Sequence, residues 1–419
     1  VVAGFVRQFS PSPRIGLAVL TGLNVLNYLD RYVAAAVLPL LLAGLALTDT
    51  QGGSLQTMVI VVYTLVSPLA GWIAPLTSRF RLAAIGAIIW SAATFASGLA
   101  STFTLLLVAR ALVGFGEATY AVVAPTLISD FYPSARRGRV LAIFYCAIPV
   151  GSALGFQLGG WAGSNFGYQS AFFIGGAPGL VLGGLLFFMR DPDRGAMDVR
   201  LRTKSPSPTT SVWRTLWHRK AFVYNTLAQT LYTFSLGGLA YWMPTFYTRE
   251  HGLSLKFATF VFGAILVVAG FAGTIVGGYW GDRLSRQRSD AHFSFSGWTL
   301  IAALPFSALA IAAPQPALYW GSLFVTLFLL FINTGPLNAA MVNALEPELR
   351  EKAYGVHTFA IHALGDAISP MLIGIASDRI GLKWPMLLVA AYMSLGGVVL
   401  LRGRSALRRD LEMLSSGHP

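Results

Sequence analysis

The chain has 419 residues and a formal net charge of +13, with 55% of residues hydrophobic and only 11% charged. A soluble globular domain carries about 25% charged residues, so a single core wrapped in a polar surface is excluded. The one cysteine, Cys146, excludes a disulfide framework within the chain.

Apolar runs of about 20 residues, each long enough to cross a bilayer core, recur along the whole length. Twelve spans are expected, centred near residues 30, 64, 91, 117, 150, 179, 233, 268, 303, 331, 365 and 391. With a cytoplasmic N-terminus, only Arg249, Lys256, Arg379 and Lys383 of the 30 Lys and Arg fall in outer loops, while Arg31 and Arg110 fall inside spans. That asymmetry follows the positive-inside rule. The basic balance therefore reports topology and anionic headgroups, and nucleic acid is not expected as a partner. Both termini are expected in the cytoplasm. No cleavable signal pattern precedes the first span, which is expected to act as its own insertion signal. Cys146, inside a span, is expected to be a small packing residue.

The first span contains Asn27-Tyr28-Leu29-Asp30-Arg31-Tyr32. A charge at bilayer depth costs at least about 2.5 kcal/mol and marks a partner and a function. Asp30 is a candidate for proton coupling; Arg31, Asn27 and Tyr28 are candidates for substrate binding. The fourth span reads Arg110-Ala-Leu-Val-Gly114-Phe-Gly116-Glu117. Residues seven apart share a helical face, which adds Arg110 as a substrate candidate and Glu117 as a proton candidate. Glu117 lies about 20 Å below the outer end of span four and Asp30 about 22 Å below that of span one, so the four charges share a depth. Arg31 and Arg110 are the available partners of the two acids.

Span five carries Gly151, Gly155, Gly159 and Gly160, and span eight Gly270, Gly273, Gly277 and Gly278. Small residues at helical spacing allow close backbone packing in lipid. Between them, Lys204-Ser-Pro-Ser-Pro-Thr-Thr-Ser211 is a polar linker. It divides the chain into a first half (1–190), a cytoplasmic linker (191–219), a second half (220–403) and a cytoplasmic tail (404–419). The halves repeat at fixed offsets. Pro133, Arg136, Gly151, Gly160 and Gly167 match Pro347, Arg350, Gly365, Gly374 and Gly381; Gly71, Ser78, Arg79 and Arg81 match Gly278, Ser285, Arg286 and Arg288. A parallel repeat of six spans places a substrate site at the interface of the halves. Gln229 and Tyr232 of span seven and Asn333 and Asn338 of span ten are its polar candidates there. His362 and Asp366, four apart in span eleven, form a second proton-relay candidate, and Pro370 is expected to kink that helix by freeing the Asp366 carbonyl.

The loop Gly278-Tyr-Trp-Gly-Asp282-Arg283-Leu-Ser-Arg286 resembles a loop signature of the major facilitator superfamily. The resemblance assigns Gly278, Asp282, Arg283 and Arg286 to a conformational latch. In the first-half counterpart, Gly71-Trp-Ile-Ala-Pro75-Leu76-Thr-Ser-Arg79, Pro75 and Leu76 replace the acid and arginine; Arg79 and Arg81 read equally well as surface anchors. Span four is similar to another signature of that superfamily. Asn27–Tyr32, Gly114-Phe-Gly116-Glu117-Ala118 and His362-Ala-Leu-Gly365-Asp366-Ala-Ile-Ser369-Pro370 together look like the Spinster family of lipid transporters, in a bacterial-type version.

The expected fold is all-α, twelve transmembrane helices in two six-helix halves. The resemblance implies a secondary active transporter working by alternating access, with a lysophospholipid or sphingolipid as the lipid-like substrate. Protons are the implied coupling ion, with no other cofactor and no metal. A carrier of a small organic anion or drug explains the buried arginines equally well. The chain lacks the phosphate-loop pattern of ATP-driven pumps and a nucleophile motif, so an enzyme is not expected. A monomer in a bacterial inner membrane is expected.

Overall fold

A computed structural model describes residues 9–194, 197 and 212–416; the expected linker Lys204–Ser211 lies outside them. The described helices are α1 (Pro13–Gly44), α2 (Asp49–Ile73), α3 (Arg79–Ser97), α4 (Phe103–Phe131), α5 (Ser134–Tyr145), α6 (Ala147–Phe166), α7 (Tyr168–Leu186), α8 (Val212–His218), α9 (Lys220–Glu250), α10 (Leu255–Ser285), α11 (Ala291–Ala312), α12 (Pro316–Phe331), α13 (Thr334–Asn343), α14 (Pro347–Ile361), α15 (Ser369–Ile380) and α16 (Lys383–Ser416). Eleven stretches among the described residues are long and apolar enough to cross a membrane. The expected seventh span, α9, has the length, about 46 Å at 1.5 Å per residue. Its apolarity is diluted by Asn225, Thr226, Gln229, Thr230, Tyr232 and Thr233. Asn225 is fully buried, and neither atom of its amide has a hydrogen-bond partner among the described residues. Large apolar side chains stay outside: Leu65, Trp72, Val181, Ile275 and Leu388 are 62–75% exposed. Water disfavours such a surface and hydrocarbon accepts it, so the chain is a multi-pass membrane protein.

The chain forms two compact units. The first holds residues up to Arg202 together with Met243–Gly263. Side-chain caps start its helices: Ser12 accepts from the Ile15 N–H, Thr102 from the Leu105 N–H, and Thr48 and Gln51 form a reciprocal capping box. α1 packs on α6, and α3 on α4 and α7. The α1–α6 approach needs glycine: a Cβ on Gly155 would stand 2.4 Å from the Leu29 carbonyl oxygen. Cys146 sits at the break between α5 and α6 and is exposed. The packing role expected of it is therefore not what the structure shows; the broken helix turns its side chain outward.

In the second unit α11 packs on α12 and α16. The stretch expected as a tail from residue 404 continues α16 to Ser416, with Ala406, Leu407 and Asp410 buried. Asp410 Oδ2 accepts from the Ala221 N–H at 2.8 Å and satisfies one of the open donors that begin α9. Span eleven is broken as Pro370 implied: α14 passes into a π-helical turn at His362–Asp366 before α15 begins. The indole of Trp242 donates to the Pro370 carbonyl at 2.9 Å.

The repeat is visible in each unit. Gly167 and Gly381 both end a helix at positive φ, 84° and 76°, where a side chain is strained. A Cβ on Gly151 would meet the Val25 carbonyl of α1, and one on Gly365 the Thr230 carbonyl of α9. One match shifts by a residue. Arg350 donates Nε to the Val342 and Leu345 carbonyls at 3.0 and 3.3 Å. Its first-half counterpart is Arg137, donating to Ser129 and Tyr132 at 2.9 and 3.2 Å, rather than the aligned Arg136. The guanidinium is selected by its reach to the open carbonyls of a helix end, not by its distance from the proline.

Candidate functional site

The four membrane charges of the first unit form one buried cluster. Asp30 is 1% exposed, Arg110 2% and Glu117 0%. Adjacent residues on a helix do not face each other, so Asp30 and Arg31 diverge from α1. Arg31 turns toward α2 and α4, where its Nη2 pairs with Glu117 Oε2. Its guanidinium also lies over the Tyr28 and Tyr63 rings, 5.3 and 5.6 Å from their centroids. Asp30 turns toward α3, where the Thr94 hydroxyl donates to its Oδ2. Arg110 Nη2 donates to Ser97 Oγ at 2.9 Å and to Thr94 Oγ1 at 3.5 Å, with its guanidinium over the Phe172 ring. Thr94 thus relays Arg110 to Asp30.

The cluster is not fully satisfied. Asp30 Oδ1, Glu117 Oε1, Arg31 Nε and Arg110 Nε are buried and have no hydrogen-bond partner among the described residues. So has Asn27 Nδ2, one turn before Arg31. Leaving polar atoms of a charged group unpaired inside a protein is costly, and such sites are where a proton or a ligand group fits.

The candidates of the second unit scatter. His362 Nδ1 lies 3.0 and 3.1 Å from the two oxygens of Asp366, as their spacing implied. This pair packs against α9, where a Cβ on Gly237 would stand 2.4 Å from Asp366 Cβ. Gln229 has a buried amide nitrogen without a partner among the described residues, and Tyr232 is half-buried on the same helix. Asn333 is occupied: its oxygen accepts from Thr299 at 2.9 Å and its nitrogen donates to the Leu329 carbonyl at 2.7 Å, which supports the break in span ten. Asn338 accepts from the Tyr354 hydroxyl at 2.7 Å and donates to the Thr334 carbonyl.

In the latch loop, Asp282, Arg283 and Arg286 are exposed and make no ion pair among the described residues; Arg283 lies over the Trp280 ring and Gly278 faces open space. The first-half loop is built differently. Arg79 is buried, pairs with Asp130 at 2.5 Å and lies 3.8 Å from Asp191. Asp191 in turn accepts from the backbone N–H groups of Arg79 and Phe80 and from the Ser78 hydroxyl, capping α3. Arg79 is therefore a staple within its own unit and not a surface anchor.

Sequence reasoning missed Thr94, Ser97, Tyr63, Asp130 and Asp191. A signal existed for the first two: Ser91, Thr94 and Ser97 are spaced three apart in the part of α3 beyond Arg81, which is otherwise apolar, and all three are buried.

The sequence pattern of the Major Facilitator Superfamily matches residues 20–370. The chain is 33% identical to protein spinster homolog 1 of Homo sapiens over 402 residues, covering 90% of this chain and 76% of that protein. It is 29% identical to the sphingosine-1-phosphate transporter SPNS2 of Danio rerio, covering 93% and 81%. In fold it is similar to a bacterial homolog of the human lysosomal transporter Spinster, crystallised inward-facing and unoccupied. The TM-score is 0.86 at 22% identity, over 96% of this chain and 99% of that one.

Proposed function

As a member of the Spinster family of the major facilitator superfamily, the chain is a membrane transporter and not an enzyme, and we propose that it carries an amphipathic anionic lipid in exchange for, or together with, protons. The observation that carries this reading is the half-satisfied cluster of Asp30, Arg31, Arg110 and Glu117. It holds two carboxylates and two guanidiniums, so it is neutral as a set while each acid keeps one unpartnered oxygen. A proton on Glu117 weakens its hold on Arg31. The freed guanidinium, flanked by Tyr28 and Tyr63, then offers its planar donors to a phosphate or carboxylate head group. A proton on Asp30 likewise loosens Arg110 through Thr94. Charge, head group and proton occupancy are thereby linked through two arginines.

The lipid class is supported by the name of the Danio rerio relative, a sphingosine-1-phosphate transporter. The test is uptake by purified protein in liposomes under an imposed pH gradient. Sphingosine-1-phosphate, a lysophospholipid, a short-chain organic anion and a sugar are offered in parallel. Gradient-dependent uptake of the two lipids alone is the expected result. Uptake of the organic anion without the lipids replaces the lipid reading with that of a small-anion carrier.

A further inference from the structure

Away from the charge cluster, the second unit has a groove of about 410 Å³ where the end of α10, the start of α11 and the middle of α16 meet. Its polar end is formed by Arg288, Ser294 and Arg404; its wall is formed by Phe295, Trp298 and Ala302. The two ends are chemically distinct. Arg404 Nε donates to the Leu401 carbonyl at 2.9 Å, which fixes the guanidinium at the groove, and no acid pairs with it among the described residues. Arg288 and Arg408 share one acid, Asp290, at 3.3 and 3.7 Å. Two guanidiniums thus share one carboxylate while Arg404 adds a third positive charge, and the polar end keeps an excess of positive charge.

The wall runs the other way. Residues 295, 298 and 302 share one face of α11 and extend about 10 Å along it. Trp298 is 61% exposed on that face, although it lies within a span. An indole about 10 Å inside a span's start, on the side of the arginines, matches the composition of the membrane interface. The same end of the unit carries Arg286, Arg288, Arg402, Arg404, Arg408 and Arg409, which assigns it to the cytoplasmic leaflet.

From this geometry we infer that the groove is a regulatory or structural binding site for one anionic glycerophospholipid of the cytoplasmic leaflet. Its phosphodiester sits between Arg288 and Arg404, and an acyl chain lies along Phe295, Trp298 and Ala302. Charge complementarity selects the head group, and the length of the apolar wall selects a lipid over a free anion. The site is separate from the proposed transport cluster, whose charges all lie on α1 and α4, and it stands whether or not the transported substrate is a lipid.

The test is lipid retention by the purified full chain in native mass spectrometry, with phosphatidylglycerol against phosphatidylcholine as probes. Wild type is expected to retain phosphatidylglycerol preferentially. Removing both arginines, R288Q/R404Q, is expected to weaken that retention about 30-fold, the sum of two basic side chains near a membrane surface. R402Q/R409Q removes the same charge from the same helix outside the groove and is expected to retain the lipid as wild type does. W298A, which keeps every charge, is expected to weaken it as well. R404Q alone, whose one side-chain bond among the described residues is to a backbone carbonyl, serves if the double variant does not fold. Equal loss in R402Q/R409Q shows a diffuse positive surface and overturns the site. Displacement of the lipid by millimolar inorganic phosphate shows a plain anion site and overturns the lipid.

Discussion

Arg31 pairs with Glu117, 86 residues away, and not with its chain neighbour Asp30. The 100° step between successive helical residues sends the two side chains of α1 to different neighbours. One dipeptide therefore serves two separate links: Arg31–Glu117 between α1 and α4, and Asp30–Thr94 between α1 and α3.

The first link is buried on the acid side and nearly so on the basic side, with side-chain exposures of 0% and 15%. Removing one partner of such a pair leaves an uncompensated charge. Glu117→Gln is expected to destabilise the protein by about 3 kcal/mol. Adding Arg31→Met is expected to return most of that stability without returning transport. Thermal unfolding in detergent of the two single variants and the double variant measures this; equal losses that simply add up contradict the pairing.

Asp191 accepts two backbone N–H groups and one hydroxyl at the start of α3. Asp191→Ala removes a helix cap and is expected to cost about 1–2 kcal/mol, with Asp191→Asn keeping part of it. Urea or thermal unfolding in detergent is the readout. A neutral Asp191→Ala shows that Arg79–Asp130 alone holds that end of the unit.

Asp290 lies outside the membrane spans. Burial works against its charge, but the Ser294 hydroxyl and the Arg288 and Arg408 guanidiniums prevail and hold its carboxyl below the usual carboxylate range. A lowered folded-state value means its stabilisation is fully present above about pH 4, the unfolded carboxylate value. It is lost as the pH falls below that toward the folded value. Asp290→Asn is expected to lower the unfolding temperature at pH 7, and the gap from wild type is expected to narrow progressively below about pH 4. A gap that stays constant into acid shows that the charge of Asp290 contributes nothing.

The membrane class, the repeat and the four deep charges were legible because each leaves a local mark: a long apolar run, an ordered Gly/Pro series, a charge where none is cheap. Pairing was not legible. Which charge meets which partner depends on helix rotation, and a rotation of α1 by one residue would turn Asp30, in place of Arg31, toward Glu117. Asn333 reads as a binding residue from its polarity, yet its amide is consumed by the break in its own span. Asp130 and Asp191 leave no local mark because their partner, Arg79, is brought to them only by packing. The one-residue shift from Arg136 to Arg137 has the same origin: alignment follows the proline, while the bond follows the helix end.

For the proposed proton coupling, Thr94 is the position to test. It offers one hydroxyl, which donates to Asp30 and accepts from Arg110, so the two ions communicate through a single oxygen. Thr94→Val keeps the shape of the side chain and removes that oxygen. Asp30 Oδ2 and Arg110 Nη2 then each lose a bond in a site that already holds unpartnered polar atoms. The loss of one such bond to a charged group is worth about 1.5–3 kcal/mol. Uptake driven by a pH gradient is expected to fall at least about 10-fold, the effect of 1.4 kcal/mol. Thr94→Ser, which restores the hydroxyl, is expected to recover most of it. Asp30→Asn is expected to fold, to bind lipid and to show no response to the gradient, because the titrating group is gone. Full gradient-driven uptake by purified Asp30→Asn removes Asp30 from the proton path. Full uptake by Thr94→Val shows that Arg110 and Asp30 act without the bridge.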